Sequence, residues 1–178
     1  MKKLHLGCGK KIIDGFVNID IISTYKEVLV DDVSSLNKIS DETVELIYAC
    51  HVLEHFGRHE YMNVLKCWHK KLKSGGKIMV AVPDFNAAAR WYLENGRLKD
   101  VLGLISGGQK NEYDFHKVIF DFATLQEDLE SIGFTDVSLY DYRETSHSHQ
   151  DDYSQAYLPH MDKENGTLMS LNITAIKK

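Results

Sequence analysis

With 178 residues, 43% of them apolar, the chain can bury one sizeable core and lies near the upper range for a single domain. A formal charge of -5, with no Lys or Arg run longer than two residues, leaves no basic footprint for a phosphate backbone, so nucleic acid is not an expected partner. No apolar stretch is long enough to span a bilayer, and the opening MKKLHLGCG reaches glycine too early for a signal peptide. Cys8, Cys50 and Cys67 are odd in number and too far apart for CxxC chemistry, which suits reduced thiols. The expectation is a soluble, cytoplasmic protein that does not engage a membrane.

The first part of the chain predicts short strands at Lys3-Leu6, Phe16-Asp20, Glu27-Val30 and Val44-Ala49, each aliphatic or β-branched and each closed by a Gly or an acid, or followed by Cys50-His51. Tyr61, Leu65, Trp68 and Leu72 recur at helical spacing, predicting a helix over 58–72 that the glycines of Lys73-Ser74-Gly75-Gly76 end. Lys77-Val82 is an almost unbroken apolar run, as expected of a strand covered on both faces. Residues 84–113 carry Trp91, Tyr92 and several glycines and read as a lid or insertion. Helical spacing resumes over Asp121-Ser131 and stops at Gly133; Val137-Tyr140 and Leu168-Ile176 read as closing strands. Between those strands the polar segment 141–167 reads as a substrate-side loop, and the whole of 1–178 as one α/β domain.

The chemistry begins at Leu4-His5-Leu6-Gly7-Cys8-Gly9. A strand running into two glycines one residue apart lets the chain turn sharply and lets a ligand approach main-chain N–H groups. The third glycine of the dinucleotide fingerprint is replaced by Ile12, which disfavours a nicotinamide cofactor. Asp20 ends the next strand. In a parallel sheet it would share a rim with Gly7 and Gly9, where its carboxylate could accept both hydroxyls of a ribose. Asp31 and Asp32 end the third strand on the same rim, and Asp32 is the better placed to accept from an adenine amino group.

In order, LHLGCG, GFVNID, VDDVSSL, VELIYACHVLEHF, LKSGGKIMVAVPDF and FDFATLQEDLESIGF resemble the class I S-adenosylmethionine-dependent methyltransferases, particularly the small type 11-like members. The resemblance implies a Rossmann-like, mostly parallel sheet whose last strand is antiparallel. It also implies S-adenosylmethionine as cofactor, held at Gly7, Cys8 and Gly9, with its ribose at Asp20, its adenine near Asp32 and Val33, and its methionine portion beside Cys50 and His51. Two departures stand out. His5 occupies a position where the family often carries an acid, and only six residues separate Gly9 from Phe16, too few for a helical crossover. The first helix is therefore expected to be reduced or absent, leaving one sheet face thinly covered, a face that a second copy in a homodimer could cover.

His51-x-x-Glu54-His55 also matches the inverted zinc-protease pattern, with Glu130 available as a third ligand. That pattern requires a continuous helix, whereas these residues follow a strand-like run, so the methyltransferase reading of the segment is preferred and no metal is expected. Tyr113-Asp114-Phe115-His116 could line an acceptor pocket, with His55 and His116 as candidate general bases. His147-x-His149 with Asp151 and Asp152 reads as a solvated polar loop before a metal site. The expected activity is direct methyl transfer to a small-molecule acceptor. The alternatives are a cofactor-binding regulatory or scaffold protein without turnover and, more weakly, a zinc hydrolase.

Overall fold

The computed structural model describes residues 2–23 and 25–178. In chain order the elements are β1 (Lys3–Leu6), β2 (Val17–Asp20), β3 (Val28–Val30), β4 (Val44–Cys50), α1 (Tyr61–Lys71) and β5 (Leu72–Pro83), followed by α2 (Phe85–Asn95), α3 (Leu98–Ser106), α4 (Phe122–Ile132) and β6 (Phe134–Leu139). The two-residue strands β7 (Tyr157–Leu158) and β8 (Thr167–Leu168) pair with each other, and β9 (Ser170–Lys177) closes the chain. Seven strands form one sheet in the order β3-β2-β1-β4-β5-β9-β6; β1 to β5 are parallel, and β9 runs antiparallel between β5 and β6.

Alternation along the strands assigns two faces. Leu4 and Leu6 of β1, Ile47 and Ala49 of β4, Ile78, Val80 and Val82 of β5, and Leu171, Ile173 and Ala175 of β9 enter the main core beneath α1 and α4. Each fully buried Leu or Ile there contributes roughly 1.5–3 kcal/mol before entropy is counted. α1 adds Val64, Leu65 and Trp68 from one stripe, and the Trp68 indole N–H donates to the Val33 carbonyl at 2.8 Å. α4 starts where the Asp121 carboxylate accepts the Thr124 N–H, buries Leu125 and Leu129, and stops at left-handed Gly133.

Two expectations need correction. α1 does not end on a glycine: Leu72 turns directly into extended backbone, and Gly75 and Gly76 instead sit in the register shift by which β5 meets β4. The second sheet face is also not left open. Among the described residues no helix joins β1 to β2, as the short connection requires, but 141–167 folds back over His5, Tyr48, Met79, Asn172 and Thr174. Tyr48 donates to Asp152 at 2.6 Å, the Asn172 side chain to the Ser154 carbonyl at 2.9 Å, and Gln150 to the Ile12 carbonyl at 3.0 Å. The chain's own segment supplies the cover for which a second copy was invoked.

Candidate active site

The register of β1 on β2, Leu4 against Val17 and Leu6 against Ile19, brings Gly7 and Asp20 to the same carboxyl rim. Gly7 and Gly9 both adopt left-handed backbone, at φ +61° and +53°. A Cβ on Gly7 would press into the Val52 side chain, whereas at Gly9 only the backbone angle demands glycine. Two amides of this turn, those of Cys8 and Gly9, are engaged within the chain. Cys8 N–H donates to the Ile19 carbonyl at 3.1 Å and Gly9 N–H to Asp20 Oδ2 at 2.8 Å, while Ile22 N–H donates to Asp20 Oδ1 at 3.2 Å. The turn thus offers bare Cα surface and pins the Asp20 carboxylate, whose oxygens each keep a further lone pair for a hydroxyl donor. The Cys8 thiol is buried; burial first, and the Asp20 charge second, push it up to about 12, so it stays protonated and is not a nucleophile.

A cavity of about 620 Å³ opens on this rim, within the range of small-molecule sites. Gly7, Asp20, Asp32, Val33 and His51 line it. Asp31 is spent internally, accepting the Asp32 and Lys38 N–H groups, so of the two adjacent acids it is Asp32 that reaches the cavity wall. Beyond Gly7 lies a second cavity of about 840 Å³, walled by Cys8, Gly9 and Cys50, by Asp100 and Leu104 of α3, by His116, and by Asp152, Tyr153 and Tyr157 from the segment that crosses the sheet. Gly7, His51 and His55 line both cavities and form their common wall. Burial holds the half-buried Cys50 thiol well above its ordinary range, so it too stays protonated.

Four titratable groups cluster at that wall. His51 takes left-handed backbone at φ +52°, unusual for a side chain with a Cβ, and burial, then the neighbouring His116 and His55, lower its pKa to about 3. Glu54 is 0% exposed, and burial raises its carboxyl to about 8. Neither of its oxygens is hydrogen-bonded: His51 Nδ1 stands 3.2 Å from Oε1 but out of line, and His116 Nε2 stands 3.9 Å away. His55 Nδ1 lies 3.0 Å from the Phe115 carbonyl, and His116 Nδ1 lies 2.9 Å from the Leu104 carbonyl. A carbonyl only accepts, so each Nδ1 donates, and in the neutral form of either ring the lone pair lies on Nε2. Burial lowers the His116 pKa, which keeps that imidazole neutral near pH 7.

The candidate cofactor residues Gly7, Cys8, Gly9, Asp20, Asp32, Val33, Cys50 and His51 all lie on these two cavities, as do His55 and His116. Other expectations shift. Of Tyr113-Asp114-Phe115-His116, Tyr113 lines the first cavity, Asp114 and His116 line the second, and Phe115 lines neither. His147 sits off the rim, packed 4.2 Å from the Tyr48 ring, so His147-x-His149 belongs to the sheet cover. Leu53–His55 is one 3-10 turn, and Glu130 lies on the exposed side of α4 beside Gln126, so the zinc-protease helix does not form. Sequence reasoning missed Glu54 as a buried member of the site; its place in HVLEH was the only available signal.

Residues 17–80 match the sequence profile of a methyltransferase domain family. A comparison with curated proteins finds none that matches. Among solved structures, an S-adenosylmethionine-dependent methyltransferase from Archaeoglobus fulgidus superposes with a TM-score of 0.59 at 17% identity, covering 99% of this chain and 86% of its own. A Burkholderia thailandensis 1,6-didemethyltoxoflavin-N1-methyltransferase, solved with 1,6-didemethyltoxoflavin and S-adenosylhomocysteine bound, gives 0.57 at 16% identity over 99% of this chain and 70% of its own. A Pyrococcus horikoshii protein gives 0.59 at 19% identity over 99% and 82%. At these identities the likeness establishes the fold.

Proposed function

We propose that the chain is a class I methyltransferase domain that transfers the methyl group of S-adenosylmethionine to a small-molecule acceptor. The observation that carries this reading is the pair of cavities sharing Gly7, His51 and His55 as a wall. The first cavity takes the nucleoside: Asp20, braced by Gly9 and Ile22, accepts from the ribose hydroxyls, and Asp32 with Val33 borders the adenine. Gly7, Cys8, Gly9, Cys50 and His51 would hold the methionine portion, next to the second cavity. The acceptor enters there. An in-line attack forms the bond from acceptor to methyl carbon and breaks the bond from carbon to sulfur, leaving S-adenosylhomocysteine. The protein's main contribution is to hold the two reactants at near-attack distance. Where the acceptor must lose a proton, His55 and His116, each donating Nδ1–H to a carbonyl, offer Nε2 as the accepting atom. Three free cysteines support a reducing, cytoplasmic setting, and no described helix is long and apolar enough to cross a membrane.

The test is calorimetry with S-adenosylhomocysteine. Asp20→Ala removes charge-assisted acceptors of the ribose and should weaken binding by about tenfold or more; an unchanged Kd would remove the ribose assignment. A second reading, donor binding without turnover, is favoured by His5, whose ring is buried and engaged with Asn18 at 3.0 Å and so is not offered to the cofactor's amino end. Labelled-methyl transfer to any acceptor in a broad panel would exclude it.

A further inference from the structure

We propose that Glu54, His55 and His116 form a binding site for a divalent first-row transition-metal ion, with open coordination positions facing the second cavity. One ligand atom from each of the three side chains lies within 4.8 Å of the others. Three ligands held about 2.1 Å from one ion stand roughly 3.0–3.6 Å from one another, so a closing movement of at most about 1.8 Å between any pair completes the arrangement. The donor set is a carboxylate with two imidazoles, which suits a divalent transition ion and occupies only part of its coordination sphere.

Two further observations point to a ligand. Glu54 is wholly buried, yet neither carboxylate oxygen has a hydrogen-bond partner. A native fold rarely leaves such a group unsatisfied, and an ion between the carboxylate and the two imidazoles satisfies it. The imidazoles are also pre-set for coordination. His55 and His116 each commit Nδ1–H to a backbone carbonyl, of Phe115 and Leu104 respectively, which fixes the tautomer and leaves Nε2 as the ligand atom, that of His116 standing 3.9 Å from Glu54 Oε1. Metal-ligating histidines are held in this way. The backbone ties the two halves together, because the Lys117 N–H donates to the Glu54 carbonyl at 2.8 Å and brings the loop of His116 onto the turn of Glu54 and His55.

The position of the ion requires no assumption about methyl transfer; its role does, and rests on the function proposed above. With the His55 and His116 Nε2 atoms bound to the ion they no longer serve as bases; instead an acceptor hydroxyl bound to the ion loses its proton to water more readily, and the resulting oxygen anion attacks the sulfonium methyl as the carbon–sulfur bond breaks. The acceptor class selected is therefore an oxygen nucleophile able to coordinate a metal.

The experiment is a titration of chelator-stripped protein with Co²⁺ alone, read by visible absorption and by calorimetry. Stoichiometric binding is expected, with an affinity at least tenfold lower in Glu54→Gln and in His116→Ala. Glu130→Gln, on the exposed side of α4, should bind within twofold of the parent. Circular dichroism checks each variant's fold. Should one variant unfold, the other variant and the parent's cobalt spectrum, which reports carboxylate and imidazole ligation, decide. Absence of stoichiometric Co²⁺ or Zn²⁺ binding by the parent, or equal binding by folded Glu54→Gln and His116→Ala, would overturn the site. Parallel titration with S-adenosylhomocysteine separates the two ideas. A chain that binds cobalt and not S-adenosylhomocysteine keeps the metal site and loses the proposed methyl transfer, and the opposite result removes only the metal site.

Discussion

A methyl group on Gly7 would meet two obstacles at once. The backbone there is left-handed, which costs a residue with a Cβ about 1–2 kcal/mol, and the Cβ would drive into the Val52 side chain, an overpacking that typically costs about 1–3 kcal/mol. Gly7→Ala is therefore expected to lower stability by roughly 2–4 kcal/mol in denaturant titration. Placed in a Val52→Ala background, the same change should recover at least about 1 kcal/mol of that loss, since the contact is gone and only the backbone angle remains. Strict additivity of the two substitutions would show that the turn moves away from Val52. The glycine is legible in the sequence, but its neighbour is not. Nothing in LHLGCG announces that Val52, forty-five positions on, fills the space where its Cβ would stand.

α4 shows which features of an element were written locally. Asp121, the Leu125 and Leu129 stripe and Gly133 together mark its start, its buried face and its end, and the helix forms between those marks. α1 shares the stripe but has no terminal glycine of its own, because the pairing of Leu72 with Val44 draws the chain straight into β5. The Asp121 cap gives a prediction at this scale. Its hydrogen bonds to Thr124 hold the carboxyl below its ordinary range, so its contribution is present above the unfolded pKa and is lost as pH falls through the lower folded value. Asp121→Ala should cost about 1 kcal/mol at pH 7, Asp121→Asn only a few tenths, and the alanine penalty should shrink below pH 4. An alanine penalty that stays constant down to pH 2 would mean that the carboxylate charge plays no part in the cap.

Across the whole molecule, the second sheet face carries a pH limit. His147 is buried against Tyr48, and its pKa is lowered to about 4, by burial foremost, with His5, His149 and Lys3 adding to the effect and Asp152 opposing it. His5, between Asn18 and Tyr48, is lowered by burial as well, against the pull of Asn18, Asp152 and Asp20. Both groups take up a proton more readily unfolded than folded. Their contribution is thus complete above about pH 6.5 and declines as pH falls, levelling off for His147 near pH 4. Thermal melts should show Tm falling over that window, with a shallower fall in His147→Gln; an identical slope in the variant would show that His147 is not buried neutral. Because this face is closed by 141–167, opening there should also disturb the second cavity, which Asp152, Tyr153 and Tyr157 help to line.

Periodicity, glycine placement and strand-ending acids determined by themselves the α/β class, the parallel opening strands and the rim on which Gly7, Asp20 and Asp32 meet. These are local signals: side chains alternate at period two, helical stripes recur at three and four, and in a parallel sheet strand ends share an edge. Only the tertiary structure decided that the Gly9 amide braces Asp20, that 141–167 covers a sheet face, and that Glu54 is buried beside His116. Each of these depends on segments that no short-range pattern joins, Glu54 and His116 being separated by α1, β5, α2 and α3. Burial and charge proximity are properties of the packed whole, and no local pattern of residues encodes them.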